Sequence, residues 1–112
     1  MKLKKLFKMT LIIEKWIHEK HWAEDLTAQE IADELGFRKE EFCSYFRRVH
    51  GKTFLQWRKE MRINEAKRLL LKDKTIPTAI IGEAVGINDR SNFKRWFREL
   101  AGCTPAQWRL KH

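Results

Sequence analysis

Proline and cysteine are scarce, at two residues each in 112. So little proline leaves nearly the whole chain free to be helical. Two cysteines, Cys43 and Cys103, cannot make a disulfide framework. They could pair only if folding brought them together, and reduced thiols are the expected state. The apolar run Leu11–Ile13 falls far short of the ~20 residues that a bilayer-spanning helix needs. The opening MKLKKLFKM has neither an uninterrupted apolar core nor a small-residue cleavage site, so residues 1–9 read as a solvated basic lead-in. The four histidines are scattered. His18 and His21 stand three apart with nothing nearby to complete a four-ligand set, so no metal is expected. No nucleophile–base pair and no glycine-rich phosphate loop is visible, so neither an enzyme nor a cofactor is expected. Alternating β-branched residues are also missing, which makes the class all-α.

What is present is basic and aromatic. Lys and Arg number 24 against 15 Asp and Glu, for a net charge of +9, which calls for a polyanionic partner: nucleic acid or an acidic membrane surface. Hydrophobic residues at 43% and aromatics at 12% suffice for one domain with a modest core.

The chain punctuates itself with capping signals. Thr10 to Trp22 reads as a first helix, with Leu11, Ile12, Ile13, Trp16, Ile17 and Trp22 on its apolar side. Thr27 with Glu30 forms a capping box, and Ile31, Ala32 and Leu35 then face inward before Gly36 breaks the helix. A further helix from Lys39 to His50 completes a helix-turn-helix, with Gly51 as its C-cap. Thr53 with Gln56 opens a long helix to about Lys72, apolar on more than one face and roughly 30 Å long, close to one DNA turn. Ile76-Pro77 begins the next helix, whose apolar set is Ile80, Ile81, Ala84 and Val85. After Gly86, a helix from Arg90 places Phe93, Trp96, Phe97 and Leu100 on one side. Its other side carries Ser91, Lys94, Arg95 and Arg98, the hydrogen-bonding basic front that a helix needs in a nucleic-acid groove. Thr104-Pro105-Ala106-Gln107 caps a last short helix.

Much of this is said twice. At an offset of 50, Ile31, Leu35, Gly36 and Phe37 meet Ile81, Val85, Gly86 and Ile87. At an offset of 51, Phe42, Phe46 and Arg47 meet Phe93, Phe97 and Arg98, and Gly51, Thr53, Gln56, Trp57 and Arg58 meet Gly102, Thr104, Gln107, Trp108 and Arg109. The expected organisation is a first helix-turn-helix unit over 10–51, a linker helix over 53–72 and a second unit over 76–112. The copies differ in charge: residues 26–50 carry net −1 and residues 76–112 net +3.

The pattern Arg62-Ile63…Ala66…Leu69-Leu70, Ile81…Val85-Gly86, Phe93…Phe97 and Gly102-Cys103-Thr104-Pro105…Trp108-Arg109 resembles the DNA-binding domain of the AraC/XylS family of bacterial transcription regulators. The resemblance covers about Leu11 to Arg109. It implies about seven helices, two helix-turn-helix subdomains joined by a long helix, and a cytoplasmic protein that offers its two second helices to successive major grooves of promoter DNA. By position, the reading residues implied for the first unit are Lys39, Glu40, Cys43, Ser44 and Arg47. Those of the second are Arg90, Ser91, Asn92, Lys94 and Arg95, with Arg98 a phosphate contact. Ser91 or Asn92 could instead serve only as a helix cap. The resemblance also brings RNA polymerase into view as a further partner. A chain standing alone would bind as a monomer, and a preceding domain could add dimerisation. The competing reading is a helical protein-interaction module that docks its basic faces on acidic partners. Three departures stand out. Gly82 replaces the family's usual Ala, at up to ~1 kcal/mol for an ordinary helix interior. Ile87 replaces a common aromatic. Glu40 and Glu41 open the first reading helix, where they suit the helix dipole but repel phosphates.

Overall fold

The computed structural model describes residues 2–112; Met1 lies outside them. Seven α-helices and no strand are present among the described residues: α1 Leu3–His18, α2 Ala28–Leu35, α3 Lys39–Tyr45, α4 Phe54–Lys72, α5 Thr78–Ala84, α6 Arg90–Ala101 and α7 Pro105–Lys111. The chain divides into two compact units, one ending at Arg58 and the other Lys59–His112. The cut falls inside α4, so the stretch read from sequence as a separate linker belongs in part to each unit.

Residues 3–9 are not a solvated lead-in; they are the first turns of α1, which ends at His18 rather than continuing to Trp22. The helical period Leu6, Met9, Ile13, Trp16 runs straight through Thr10, and Met9 and Ile13 are fully buried. Thr10 does not cap; its hydroxyl donates back to the Leu6 carbonyl at 2.8 Å. Leu11, expected on the apolar side, is exposed. Trp22 sits beyond the helix in a 3₁₀ turn, His21–Ala23, and is buried with its indole N–H donating to the Ile17 carbonyl.

In unit 1, Trp16, Phe42, Phe46, Phe54 and Trp57 form a buried aromatic cluster with ring centroids 4.7–6.2 Å apart. Tyr45 joins it with its hydroxyl donating to Glu14 Oε2 at 2.6 Å; burial first, and that bond second, push the phenol well above its ordinary pKa. In unit 2, Ile63, Ala66, Leu70, Ile81, Val85, Ile87, Phe93 and Phe97 make the core. Ile80, Ala84 and Leu100, expected inside, are exposed. Ile87, the departure from an aromatic, is a buried core residue.

The duplication extends to individual hydrogen bonds. Gly36 and Gly86 both take left-handed φ, +82° and +88°, which an L side chain rarely adopts. The residues after them close the same turn: Phe37 N–H donates to the Ala32 carbonyl and Ile87 N–H to the Gly82 carbonyl, each at 2.8 Å. Thr53 with Gln56 and Thr104 with Gln107 form matching capping boxes. The arginine that follows each box is a staple. Arg58 donates to the Leu26 carbonyl just ahead of α2, and Arg109 donates to the carbonyls of Ile76 (2.7 Å) and Leu70 (3.1 Å) ahead of α5. The start of α4 thus does for unit 1 what α7 does for unit 2. The rest of α4 opens unit 2, and a helix with two such duties has apolar residues on several faces.

Candidate nucleic-acid interface

In each unit the helix after the glycine turn buries one side and exposes the other. In α6, Phe93 and Phe97 are buried, while Arg90, Ser91, Lys94, Arg95 and Arg98 are exposed. Asp89 caps the helix, its carboxylate accepting from the Asn92 N–H at 2.9 Å. That assignment removes Ser91 and Asn92 from capping. The Asn92 side chain is engaged along the helix instead. Its Oδ1 accepts from Arg95 Nη2 at 2.7 Å, an i,i+3 bond that restrains the guanidinium along the helix face. Trp96 is only partly buried, and the Lys59 ammonium lies 4.9 Å from its ring centroid.

In α3, Phe42 and Tyr45 are buried. Lys39, Glu40, Ser44 and Arg47 are exposed, and Cys43 is half-buried as a free thiol. The helix does not run on as α to His50; Phe46–His50 forms a π-helical segment that carries Arg47 and Arg48. Glu41, read from sequence as repelling phosphates, is already engaged. Lys5 of α1 forms an ion pair with it, and its other oxygen accepts from the Arg38 N–H at 3.1 Å. The Lys5 contact first, then the Arg38 amide, hold its carboxyl below the usual carboxylate range.

The two exposed faces open onto equivalent hollows. In unit 1 the hollow is walled by Ala28 and Gln29 at the start of α2, Lys39 and Cys43 of α3, and Thr53 and Leu55. In unit 2 it is walled by Thr78 and Ala79 at the start of α5, Arg90 and Lys94 of α6, and Thr104 and Ala106. Each residue of the second set stands 50 or 51 after its counterpart in the first. A helix flanked by the first turn of the preceding helix is the arrangement that sets one helix in a major groove while its neighbour's amides approach the backbone. All eleven residues singled out from sequence lie on α3, its π continuation or α6. Sequence reading passed over Lys2 and Lys5, which flank α3, because it placed the helix start at Thr10. The unbroken spacing Leu6-Met9-Ile13-Trp16 was the signal that could have found them.

No cluster of three or more metal-ligating side chains occurs among the described residues, and no helix among them is long and apolar enough to cross a membrane.

Comparison with known proteins points to one family. Residues 31–111 match the model of a helix-turn-helix domain. The chain is 31% identical over 94 residues to the uncharacterized HTH-type transcriptional regulator YobQ of Bacillus subtilis, covering 84% of this chain and 38% of that protein. It is 39% identical over 64 residues to the arabinose operon regulatory protein of Escherichia coli, covering 57% of this chain and 22% of that one. The chain therefore spans well under half the length of either relative. Among solved structures, the C-terminal domain of AraT, a response regulator from Geobacillus stearothermophilus, superposes with a TM-score of 0.77 at 26% identity, over 83% of this chain and 77% of that one.

Proposed function

We infer, for a chain that belongs to the AraC-type helix-turn-helix family, that it is a sequence-specific DNA-binding regulator of transcription from bacterial promoters, with each unit offering its third helix to a major groove. The observation that carries this is the exposed front of α6: Arg90, Ser91, Lys94, Arg95 and Arg98 stand out against the buried Phe93 and Phe97. Affinity comes chiefly from Lys and Arg neutralising phosphates with release of counterions. Specificity comes from base edges. Arg95 and Arg90 can bridge guanine O6 and N7, Asn92 keeps Arg95 aligned, and in α3 Glu40 can accept from cytosine N4. Lys39, Arg47, Lys94 and Arg98 serve mainly the backbone, while Cys43, Ser44 and Ser91 let their helices approach it closely. The activity is regulatory rather than enzymatic, and a DNA target goes with a cytoplasmic location and with RNA polymerase as a further partner. A chain acting alone would bind as a monomer.

The test is Arg95→Ala. Specific binding weakens by ~1–3 kcal/mol while binding to random duplex changes little and thermal unfolding is unmoved. Gel-shift titrations on a selected duplex and a random one read both. Unchanged discrimination between the two duplexes would remove Arg95 from reading.

A further inference from the structure

α3 has a second wall that sequence motifs did not reveal. On the side facing α2 it shares the hollow described above. On its other side, Glu40, Glu41 and Ser44, with Arg48 of the π segment, share a separate hollow with Lys2, the N-cap of α1, and Lys5 in its first turn. A major groove is about 12 Å wide and is bounded on both sides by phosphate ridges, so a helix lying in it has phosphates along both flanks. The first turn of α2 faces one flank of α3. The first turn of α1 faces the other.

The chemistry of this second wall suits a phosphate. Lys5 pairs with Glu41, cancelling the acid and anchoring the start of α1 beside α3, while the fully buried Met9 fixes the same turns from within. The Lys5 side chain remains about half exposed in that pair, so its ammonium can be shared with an incoming anion. Lys2 and Arg48 add cations on the same rim, and Ser44 supplies a hydroxyl donor. In unit 2 a lysine of α4 is used differently. Lys59 lies over the Trp96 ring and bonds Glu99 at 3.1 Å, on a helix that already presents four cations of its own.

We propose that the first turn of α1 is a phosphate clamp: Lys2 and Lys5, with Arg48 of the π segment, grip the DNA backbone along the flank of α3 that faces away from α2. The clamp rests on the DNA-binding function proposed above and gives unit 1 a specific part in it. The partly acidic α3 is seated by its neighbours on both flanks, and most of unit 1's affinity is independent of base sequence.

The experiment separates the clamp from the unmasking of Glu41. Binding to selected and random duplexes is measured from 50 to 200 mM salt for the parent chain, for Glu41→Gln, and for Glu41→Gln with Lys2→Ala and Lys5→Ala. Circular dichroism verifies that α1 is intact. The expected result is that the triple variant loses roughly 2 units of log–log salt slope relative to Glu41→Gln, about 0.9 per lost phosphate contact, with selected and random duplexes weakened by the same factor. Lys2→Arg with Lys5→Arg keeps the parent slope. Tight binding with an unchanged slope overturns the clamp, as does a loss confined to the selected duplex, because α1 would then act on how α3 reads bases. Failure of the parent chain to bind any duplex at low salt overturns the DNA-binding function itself, and the clamp with it.

Discussion

In unit 1 the third helix has seven α-helical residues and then widens into a π segment; in unit 2 it runs for twelve regular residues. Around that difference almost everything is shared: the left-handed glycine turn, the capping box that starts the closing helix, and the arginine staple onto the loop ahead of the second helix. The exposed faces have diverged. Position by position, Lys39, Glu40, Cys43, Ser44 and Arg47 correspond to Arg90, Ser91, Lys94, Arg95 and Arg98. The first set holds two cations and one acid, and the second holds four cations. A scaffold copied down to single hydrogen bonds, carrying faces that differ by three charges, separates what folding requires of a residue from what binding requires. Buried positions and turn closures are constrained by packing and backbone geometry. The groove-facing positions are free to change charge without disturbing the core.

Converting one face into the other tests this separation and has the largest expected effect. In Glu40→Ser with Cys43→Lys and Ser44→Arg, α3 acquires the charges of α6. The salt dependence of binding to random duplex should steepen by roughly 2 to 3 in log–log slope, since each added phosphate contact contributes about 0.9. Thermal stability should stay within about 0.5 kcal/mol, as surface substitutions usually do. If affinity for random DNA does not rise, unit 1 does not present α3 to DNA in the way unit 2 presents α6.

A smaller effect distinguishes the two cores. Ala32 and Gly82 occupy equivalent buried positions, each accepting the amide that closes its turn. Sequence alone made Gly82 a simple loss of helix propensity. The structure gives it a purpose: a Cβ placed there would lie 2.9 Å from both Cγ and Cδ2 of Phe93, so α5 and α6 approach more closely than an alanine allows. Gly82→Ala gains up to ~1 kcal/mol of helix propensity and incurs ~1–3 kcal/mol of overpacking, because the colliding atoms belong to the buried Phe93 ring, which must shift to admit the methyl. The expected net result is a loss of about 1 kcal/mol in unit 2, read as a lowered melting temperature. Ala32→Gly in unit 1 should lose about 1–2 kcal/mol, from helix propensity together with the buried methyl that it removes. A stabilised Gly82→Ala would mean that Phe93 repacks freely and that the two cores are interchangeable.

How far sequence carries follows from the same comparison. Helix ends marked by local chemistry were readable: Thr27, Thr53 and Thr104 cap where their spacing to Glu30, Gln56 and Gln107 says they should. The reading faces were readable because a 3.6-residue period divides Phe93 and Phe97 from Lys94 and Arg95. Features set by partners distant in sequence were not. Nothing near Glu41 announces that Lys5 neutralises it, and nothing near Arg58 or Arg109 announces loop carbonyls more than thirty residues away. The start of α1 was missed for a different reason. A run of lysines suggested solvated chain, yet Met9 fills a core position beneath them, and the apolar period outweighs the charge of the opposite face.

The smallest expected effect belongs to unit 1 alone. His21 lies between two carboxylates in the turn after α1, with Nδ1 2.5 Å from Glu24 Oε1 and Nε2 3.0 Å from Glu19 Oε2, so the protonated ring donates to both. The Glu24 contact first, then Glu19, raise its pKa above the ordinary value of 6.5. A histidine whose folded pKa is raised contributes its stabilisation in full below the unfolded value and loses it as pH rises through the folded one. Protection of amides around His21–Ala23 should therefore decline modestly as pH rises from 6 through the raised pKa. The corresponding loop of unit 2, Asp73–Ile76, has no histidine and should show no such step. The side chain is about 40% exposed, so solvent screens the pair, the change is small and salt-sensitive, and His21→Gln should abolish it. Amide exchange measured across that pH range, corrected for the intrinsic pH dependence of exchange, reads both loops in one experiment. An equal decline in both would trace the effect to the whole chain's charge rather than to His21.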